Sequence, residues 1–250
     1  MPVTPAPSPH PRVAALDGLR GLAVLAVLLF HAGYLEGGFL GVDLFFVLSG
    51  YLITGLLLHE WGGRGSIGLG RFWSSRARRL LPALFLAALV VVIGSWLFAA
   101  PGTLATLRGD LAGTVTYTAN WRFILQGTSY WTHLGPASPL QHVWSLAIEE
   151  QFYLLWPLVV VGLLRYRRSP RAVLVLAVLL AAASTIAMAL TASPGDESRA
   201  YFGTDTHAAP ILLGAALAAL FATRGTLSSS GGRRLLDVTA LMAIAGMVSA

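Results

Sequence analysis

Six apolar segments, at residues 16–34, 42–58, 80–98, 143–164, 172–191 and 208–223, follow one another through a chain of 250 residues, and a seventh begins at Leu235. They have, or approach, the length a helix rising 1.5 Å per residue needs to cross about 30 Å of hydrocarbon. In lipid every backbone polar group has to be satisfied within the chain, and for runs of this length that means helices. Charged residues make up only 11% of the chain, too few to cover a water-soluble surface. The sequence therefore predicts an all-α, polytopic transmembrane bundle of about seven helices. The seventh segment is still apolar at Ala250, so the last helix is expected to be truncated and residues 16–250 to be a membrane domain incomplete at its C-terminus. Residues 1–15 are Pro-rich and polar, with no small-residue cleavage site after them, and are expected to form a disordered cytoplasmic tail instead of a signal peptide.

Every one of the 17 basic residues is Arg. A strongly basic chain raises nucleic acid as a partner, but arginines that punctuate apolar segments are topology signals first. With the N-terminus in the cytoplasm, fourteen arginines fall on the cytoplasmic side and only Arg108, Arg122 and Arg199 fall outside. That count requires residues 99–142 not to cross the membrane, and "LAGTVTYTANWRFIL" within them reads as an interfacial or re-entrant helix. The linkers "GYLEGGFLG" and "WGGRGSIGLG" suit close turns between antiparallel helices. The chain has no Cys, which removes disulfides, thiolate chemistry and Cys-based metal sites. No phosphate-binding glycine loop, GxSxG elbow or HExxH motif is present, so ATPase, hydrolase and metalloprotease readings have no local support.

Polar groups inside the apolar segments are the candidates for chemistry. Arg20 and His31 are eleven residues apart, within about 20° of three full helical turns and about 16 Å along the axis. They share a face, with Arg20 at the cytoplasmic end and His31 at the outer end. Asp43 opens the second segment, "HVWSLAIEEQFY" with His142, Ser145 and Glu149 opens the fourth, and Asp205 and His207 precede the sixth. All of these fall toward the outer side, where imidazole and carboxylates at one depth supply a general base and its orienting acid. Ser145, Glu149 and Tyr153, spaced by four, occupy one helical stripe. An ionisable group facing hydrocarbon is costly, so that stripe is expected to face the bundle interior. On the cytoplasmic side Arg76 and Arg79, in "RFWSSRARRLLP", lie one turn apart at the expected start of the third helix. They read either as an ordinary positive-inside anchor or as a phosphate clamp at a helix N-terminus. Ser49 and Gly50, in "FFVLSGYL", read as a packing notch.

Together "LDGLRGLAVLAVLLFH", "GVDLFFVLSGYLI", "RARRLLPAL", "HVWSLAIEEQFYLLWPL" and "YFGTDTHAAPILLGAALA" resemble, in order, successive motifs of the acyltransferase-3 family of bacterial membrane O-acyltransferases. The resemblance implies transfer of an acyl group, commonly acetyl, from cytoplasmic acyl-CoA to a hydroxyl of an extracytoplasmic carbohydrate, in a multi-pass protein of the bacterial plasma membrane. It places the family's Arg, ten residues, His motif on Arg20 and His31, and its paired arginines on Arg76 and Arg79. Its Ser-Leu-x-x-Glu-x-x-Phe-Tyr motif falls on Ser145, Leu146, Glu149, Phe152 and Tyr153. The expected catalytic set is His31, Asp43 and Glu149, with Arg20, Arg76 and Arg79 on the donor and His142, Ser145, Tyr153 and Asp205 in support. His31 acts either as general base or as a transiently acylated nucleophile, with Asp43 or Glu149 holding its tautomer. No metal and no nucleic acid enter this reading; its partners are membrane lipids, acyl-CoA and the carbohydrate. Family members usually have about ten membrane helices, and many have Arg where this chain has His207. The competing classes are a transporter or flippase, whose buried charges form a path without covalent chemistry, and a noncatalytic remnant.

Overall fold

The computed structural model describes residues 14–98, 103–130, 138–192 and 197–225. Among them the secondary structure is helical throughout: α1 (Ala14–His31), a 3-10 turn (Glu36–Phe39), α2 (Leu40–Arg64), α3 (Leu69–Phe98), α4 (Thr103–Val115), α5 (Ala119–Leu125), a second 3-10 turn (Gln141–Val143), α6 (Trp144–Arg167), α7 (Pro170–Thr191), α8 (Ser198–Phe202), α9 (Thr204–His207) and α10 (Ala209–Arg224). Four stretches are long and apolar enough to cross a membrane, Glu36–Arg64, Leu69–Phe98, Gln141–Arg167 and Pro170–Thr191, and α10 is a shorter apolar helix. Each of the six predicted segments coincides with a helix. Residues 1–13 of the expected tail and the seventh segment from Leu235 lie outside the described residues, and the last two residues of that tail, Ala14 and Ala15, belong to α1.

The chain divides into two compact units, the first reaching Leu48 and the second running from Ser49 to Thr226. In the first, α1 lies against the 3-10 turn and the start of α2 through small residues. Ala23 and Ala26 are buried, a Cβ on Gly38 would overlap the Ala26 carbonyl oxygen, and one on Gly41 would come 2.7 Å from the Ala23 oxygen. The glycines of "GYLEGGFLG" therefore serve close packing as well as turning; Gly33 takes the left-handed conformation, φ 75°, that ends α1.

In the second unit the helix starting the third span begins at Leu69, eleven residues before the apolar run does. Hydropathy marks where lipid contact begins, but Arg, Ala and Leu favour helix and Ser tolerates it, so the helix extends through the arginine-rich stretch. The expected placement of Arg76 and Arg79 at a helix N-terminus is thus corrected. Arg76 lies two turns inside α3, beyond the first turn in which a helix dipole acts on charge. The α6–α7 corner is compact because Arg168 adopts φ 50° and Ser169 caps α7, its Oγ accepting from the Arg171 N–H, with Pro170 at the first helical position. Beyond this corner, α7 and α10 pack against each other, and Ala177 and Ala181 on one and Ala215 and Ala219 on the other are buried. Their outward faces, like that of α3, are apolar: Leu86, Val90, Leu179 and Leu190 are more than half exposed, as a surface solvated by acyl chains requires. The chain is a multi-pass membrane protein.

Three interhelical bonds set the direction of α2 against α6. Ser49 bonds to Glu149 and Tyr153, and five residues further along α2 the Thr54 hydroxyl accepts from the Trp156 indole at 2.8 Å. Contacts that advance together along both helices mean parallel helices. One net crossing therefore lies between them, and among the described residues α3 is the helix between them that is long and apolar enough to supply it. Helices α4 and α5, of 13 and 7 residues, are each too short to span. They turn back on each other at Tyr117, φ 57°, and are tied by Arg122 Nε donating to Asp110 at 2.8 Å. The interfacial or re-entrant reading of this segment agrees with that geometry.

Gly50 is the tightest point of the second unit, since a Cβ there would overlap the Ile211 carbonyl oxygen of α10. Backbone cannot yield as a flexible side chain does. Gly50→Ala is expected to cost about 1–3 kcal/mol, read as a lower unfolding temperature of the detergent-purified protein, whereas Gly94→Ala, inside α3 with open space at its Cβ, does not lower it.

Candidate functional site

Ser49 of α2, Phe72, Trp73 and Arg76 of α3, and Glu149 and Tyr153 of α6 converge in the second unit. The i,i+4 spacing of Glu149 and Tyr153 stacks them on one face of α6, and the phenol reaches Glu149 Oε1 at 2.5 Å. Ser49 donates to that same oxygen, and the Ser49 and Tyr153 hydroxyls are themselves 2.9 Å apart. Oε1 thus carries two hydroxyls from two helices, while Oε2 has no hydrogen bond among the described residues. On the third side Trp73 Nε1 donates to the Tyr153 carbonyl at 3.0 Å and fixes α3 against α6. One turn further along α3, the Arg76 guanidinium carbon lies 5.6 Å from the Phe72 ring centre and 5.2 Å from that of Tyr153. Aromatic faces favour a cation in this position. No carboxylate lies within ion-pair distance of Arg76 among the described residues, although Glu149 and Glu150 both act on it electrostatically.

This arrangement changes the expected division of labour. Arg76 belongs by hydropathy to the cytoplasmic side and Glu149 and Tyr153 to the outer side, yet they meet. Arg76 is about 10 Å inside α3 and Tyr153 about 14 Å inside α6, so each is well inside its helix. Arg79 is exposed and does not join Arg76 on the aromatic rings, so the two do not form a pair of equivalent donors.

Other expected members lie elsewhere. The Ser145 hydroxyl turns back to the carbonyl of His142, three residues earlier, at 3.5 Å instead of continuing the stripe. His142 itself is exposed on the 3-10 turn. Asp205 is engaged by Arg199, with nitrogens at 2.7 and 3.1 Å, and the same guanidinium lies over Trp121 at 5.4 Å. Hydrogen bonds from Arg199 hold the Asp205 carboxyl below the usual carboxylate range. His207 is buried, its ring edge-on to Trp144 and Tyr201.

Two polar features of the second unit escape the sequence motifs. One is Ser49, whose side chain serves Glu149 while only its neighbour Gly50 plays the packing part expected of both. The other is a closed circuit around Gln151, which donates to the Tyr117 carbonyl at 2.7 Å and to Asn120 at 3.0 Å. Thr204 donates to Gln151 at 2.6 Å, and Asn120 donates to Thr204 and to the Phe202 carbonyl at 2.9 and 3.0 Å. Buried amides have to be satisfied, and this circuit ties the α4–α5 turn and the α8–α9 segment to α6. Asn and Gln inside otherwise apolar stretches are the signal that marks it.

In the first unit, His31 ends α1 with Nδ1 2.8 Å from the Val27 carbonyl. A carbonyl only accepts, so Nδ1 carries the hydrogen, and Nε2 is the nitrogen left to exchange a proton. The backbone thus holds the tautomer, the task expected of Asp43 or Glu149. The Phe30 ring packs edge-on against the imidazole at 5.3 Å. Arg20, half-exposed, sits 3.8 Å from Asp17 one turn before it. Among the described residues no three of His, Asp and Glu gather as metal ligands.

A family model described as an acyltransferase domain matches residues 13–249. The chain is 47% identical over 209 residues to the peptidoglycan O-acetyltransferase OatA of Listeria monocytogenes, covering 82% of this chain and 33% of that protein. It is 43% identical to the putative peptidoglycan O-acetyltransferase YrhL of Bacillus subtilis, with 84% and 33% covered. It is likewise 43% identical to the O-acetyltransferase OatA of Staphylococcus aureus, with 81% and 34% covered. The chain therefore spans about a third of the length of these curated relatives. No solved structure matches it.

Proposed function

Since the chain belongs to the acyltransferase-3 family, we propose that it is a membrane O-acetyltransferase taking the acetyl group of acyl-CoA from the cytoplasmic side, with its N-terminus there, and passing it toward a hydroxyl of cell-wall carbohydrate. The names of its relatives support peptidoglycan as the acceptor and acetyl as the group. The observation that supports the donor is Arg76, a guanidinium held well inside a membrane helix against two aromatic rings, with no carboxylate within ion-pair distance among the described residues. A cation so placed is costly unless an anion visits it, and acyl-CoA is anionic along its phosphates.

In this reading Arg76 binds the donor, and Glu149, with Oε1 fixed and Oε2 open, sets the charge beside it. His31 handles the proton through Nε2. As base, it takes the hydrogen of the acceptor hydroxyl while the oxygen forms its bond to the acetyl carbon; the carbon–sulfur bond breaks and the CoA thiolate leaves, to be reprotonated. As nucleophile, the same nitrogen first carries the acetyl group. Labelled acetyl found on His31 when acceptor is withheld selects the second route.

The test is transfer of radiolabel from acetyl-CoA into glycan by membranes containing the protein. Label in alkali-labile ester on the glycan is the expected result. Membranes that hold folded protein and move no label from acetyl-CoA would show the donor assignment to be wrong.

A further inference from the structure

We infer that Ser49 is a positioning residue for acyl transfer, acting through Glu149; this rests on the acetyltransferase reading above. A serine within a helix ordinarily returns its hydroxyl to the carbonyl one turn back, a bond that needs nothing from the rest of the fold. Ser49 instead sends its hydrogen across to Glu149 on α6 and meets the Tyr153 hydroxyl, while being only 6% exposed. The helix carrying it has no freedom to slide. Its next residue, Gly50, abuts the Ile211 backbone, and Thr54 is bonded to Trp156. Ser49 is therefore a fixed point against which a movable carboxylate is set.

A carboxylate held by one hydroxyl still turns about its last bond and exchanges its two oxygens. With Ser49 and Tyr153 both on Oε1, from different helices, that rotation is stopped and Oε2 keeps one orientation. Tyr153 alone, being on the same helix as Glu149, moves with it and does not fix it relative to α2. Ser49 supplies that second reference. The sequence pairing that reveals it spans 100 residues, outside the reach of any local motif.

The experiment compares acetyl transfer from acetyl-CoA by the wild-type protein, Ser49→Ala, Ser49→Thr, Glu149→Ala and the Ser49→Ala/Glu149→Ala double variant, in membranes matched for folded protein. Ser49→Ala is expected to lower kcat about tenfold to hundredfold, the effect of a hydrogen bond to a charged group, with KM for acetyl-CoA unchanged. Ser49→Thr keeps the hydroxyl and returns kcat to within about threefold of wild type. In the Glu149→Ala background, Ser49→Ala causes no further loss, since the group it acts through is gone. The cycle decides the matter even where threonine does not fit the buried site. Full activity of Ser49→Ala, or losses that multiply in the double variant, overturns the role. A wild-type protein inactive with acetyl-CoA instead overturns the donor reading, a distinct result.

Discussion

His31→Ala and His31→Gln are expected to lower acetyl transfer by about 10²–10⁴-fold, the contribution of a positioned general acid–base group, with the protein still inserted and folded. The folding expectation follows from the surroundings: His31 is exposed at the last turn of α1, and its one bond within the described residues is to a carbonyl of its own helix. Losing that bond leaves a helix-end carbonyl that lipid-interface water satisfies. The magnitude follows from the tautomer. Nδ1 is committed to Val27, which leaves Nε2 as the basic nitrogen in both routes to product. Gln at this position keeps a donor for the carbonyl but offers no basic nitrogen, so the two variants should be equally poor. A Gln variant as active as wild type would mean that His31 acts only by shape or hydrogen bonding.

The helices were legible because hydropathy and helix length are both properties of contiguous residues. The bundle and its six segments follow from counting apolar runs. The start of α3 was not legible for the same reason: apolarity begins at Leu80, whereas helix formation, which arginine and serine tolerate, begins at Leu69. That error alone moves Arg76 from a helix end to two turns within. Glu149 and Tyr153 were legible as a pair, since i,i+4 neighbours meet on any helix. Ser145 belonged to the same stripe on paper but turns its hydroxyl back to the His142 carbonyl at the start of α6, a choice only the folded end presents. Ser49 and Arg76 reach Glu149 and Tyr153 from other helices, and helical periodicity says which face a residue is on without saying what that face meets. The His31 tautomer depends on a rotamer, which no spacing encodes.

Arg76 and Arg79 have to separate experimentally if the donor reading is right. Arg76→Ala is expected to raise KM for acetyl-CoA about tenfold to hundredfold, the range for removing one charged hydrogen-bonding partner, whereas Arg79→Ala stays within about threefold because its exposed charge is screened by water and salt. Arg76→Lys is the informative conservative change. It keeps the charge over Phe72 and Tyr153, so the electrostatic balance with Glu149 and Glu150 survives and folding is protected. It loses the planar fork of donors that engages phosphate or a carbonyl oxygen at two points. KM for acetyl-CoA should therefore remain raised in Arg76→Lys, while the unfolding temperature in detergent returns to that of wild type. A positive-inside anchor makes the opposite forecast, because topology reads charge and not geometry. Lysine would then be fully active, and Arg76→Ala and Arg79→Ala would be equally harmless or would both reduce insertion. Kinetics on inserted protein, with donor concentration varied, discriminate the two outcomes.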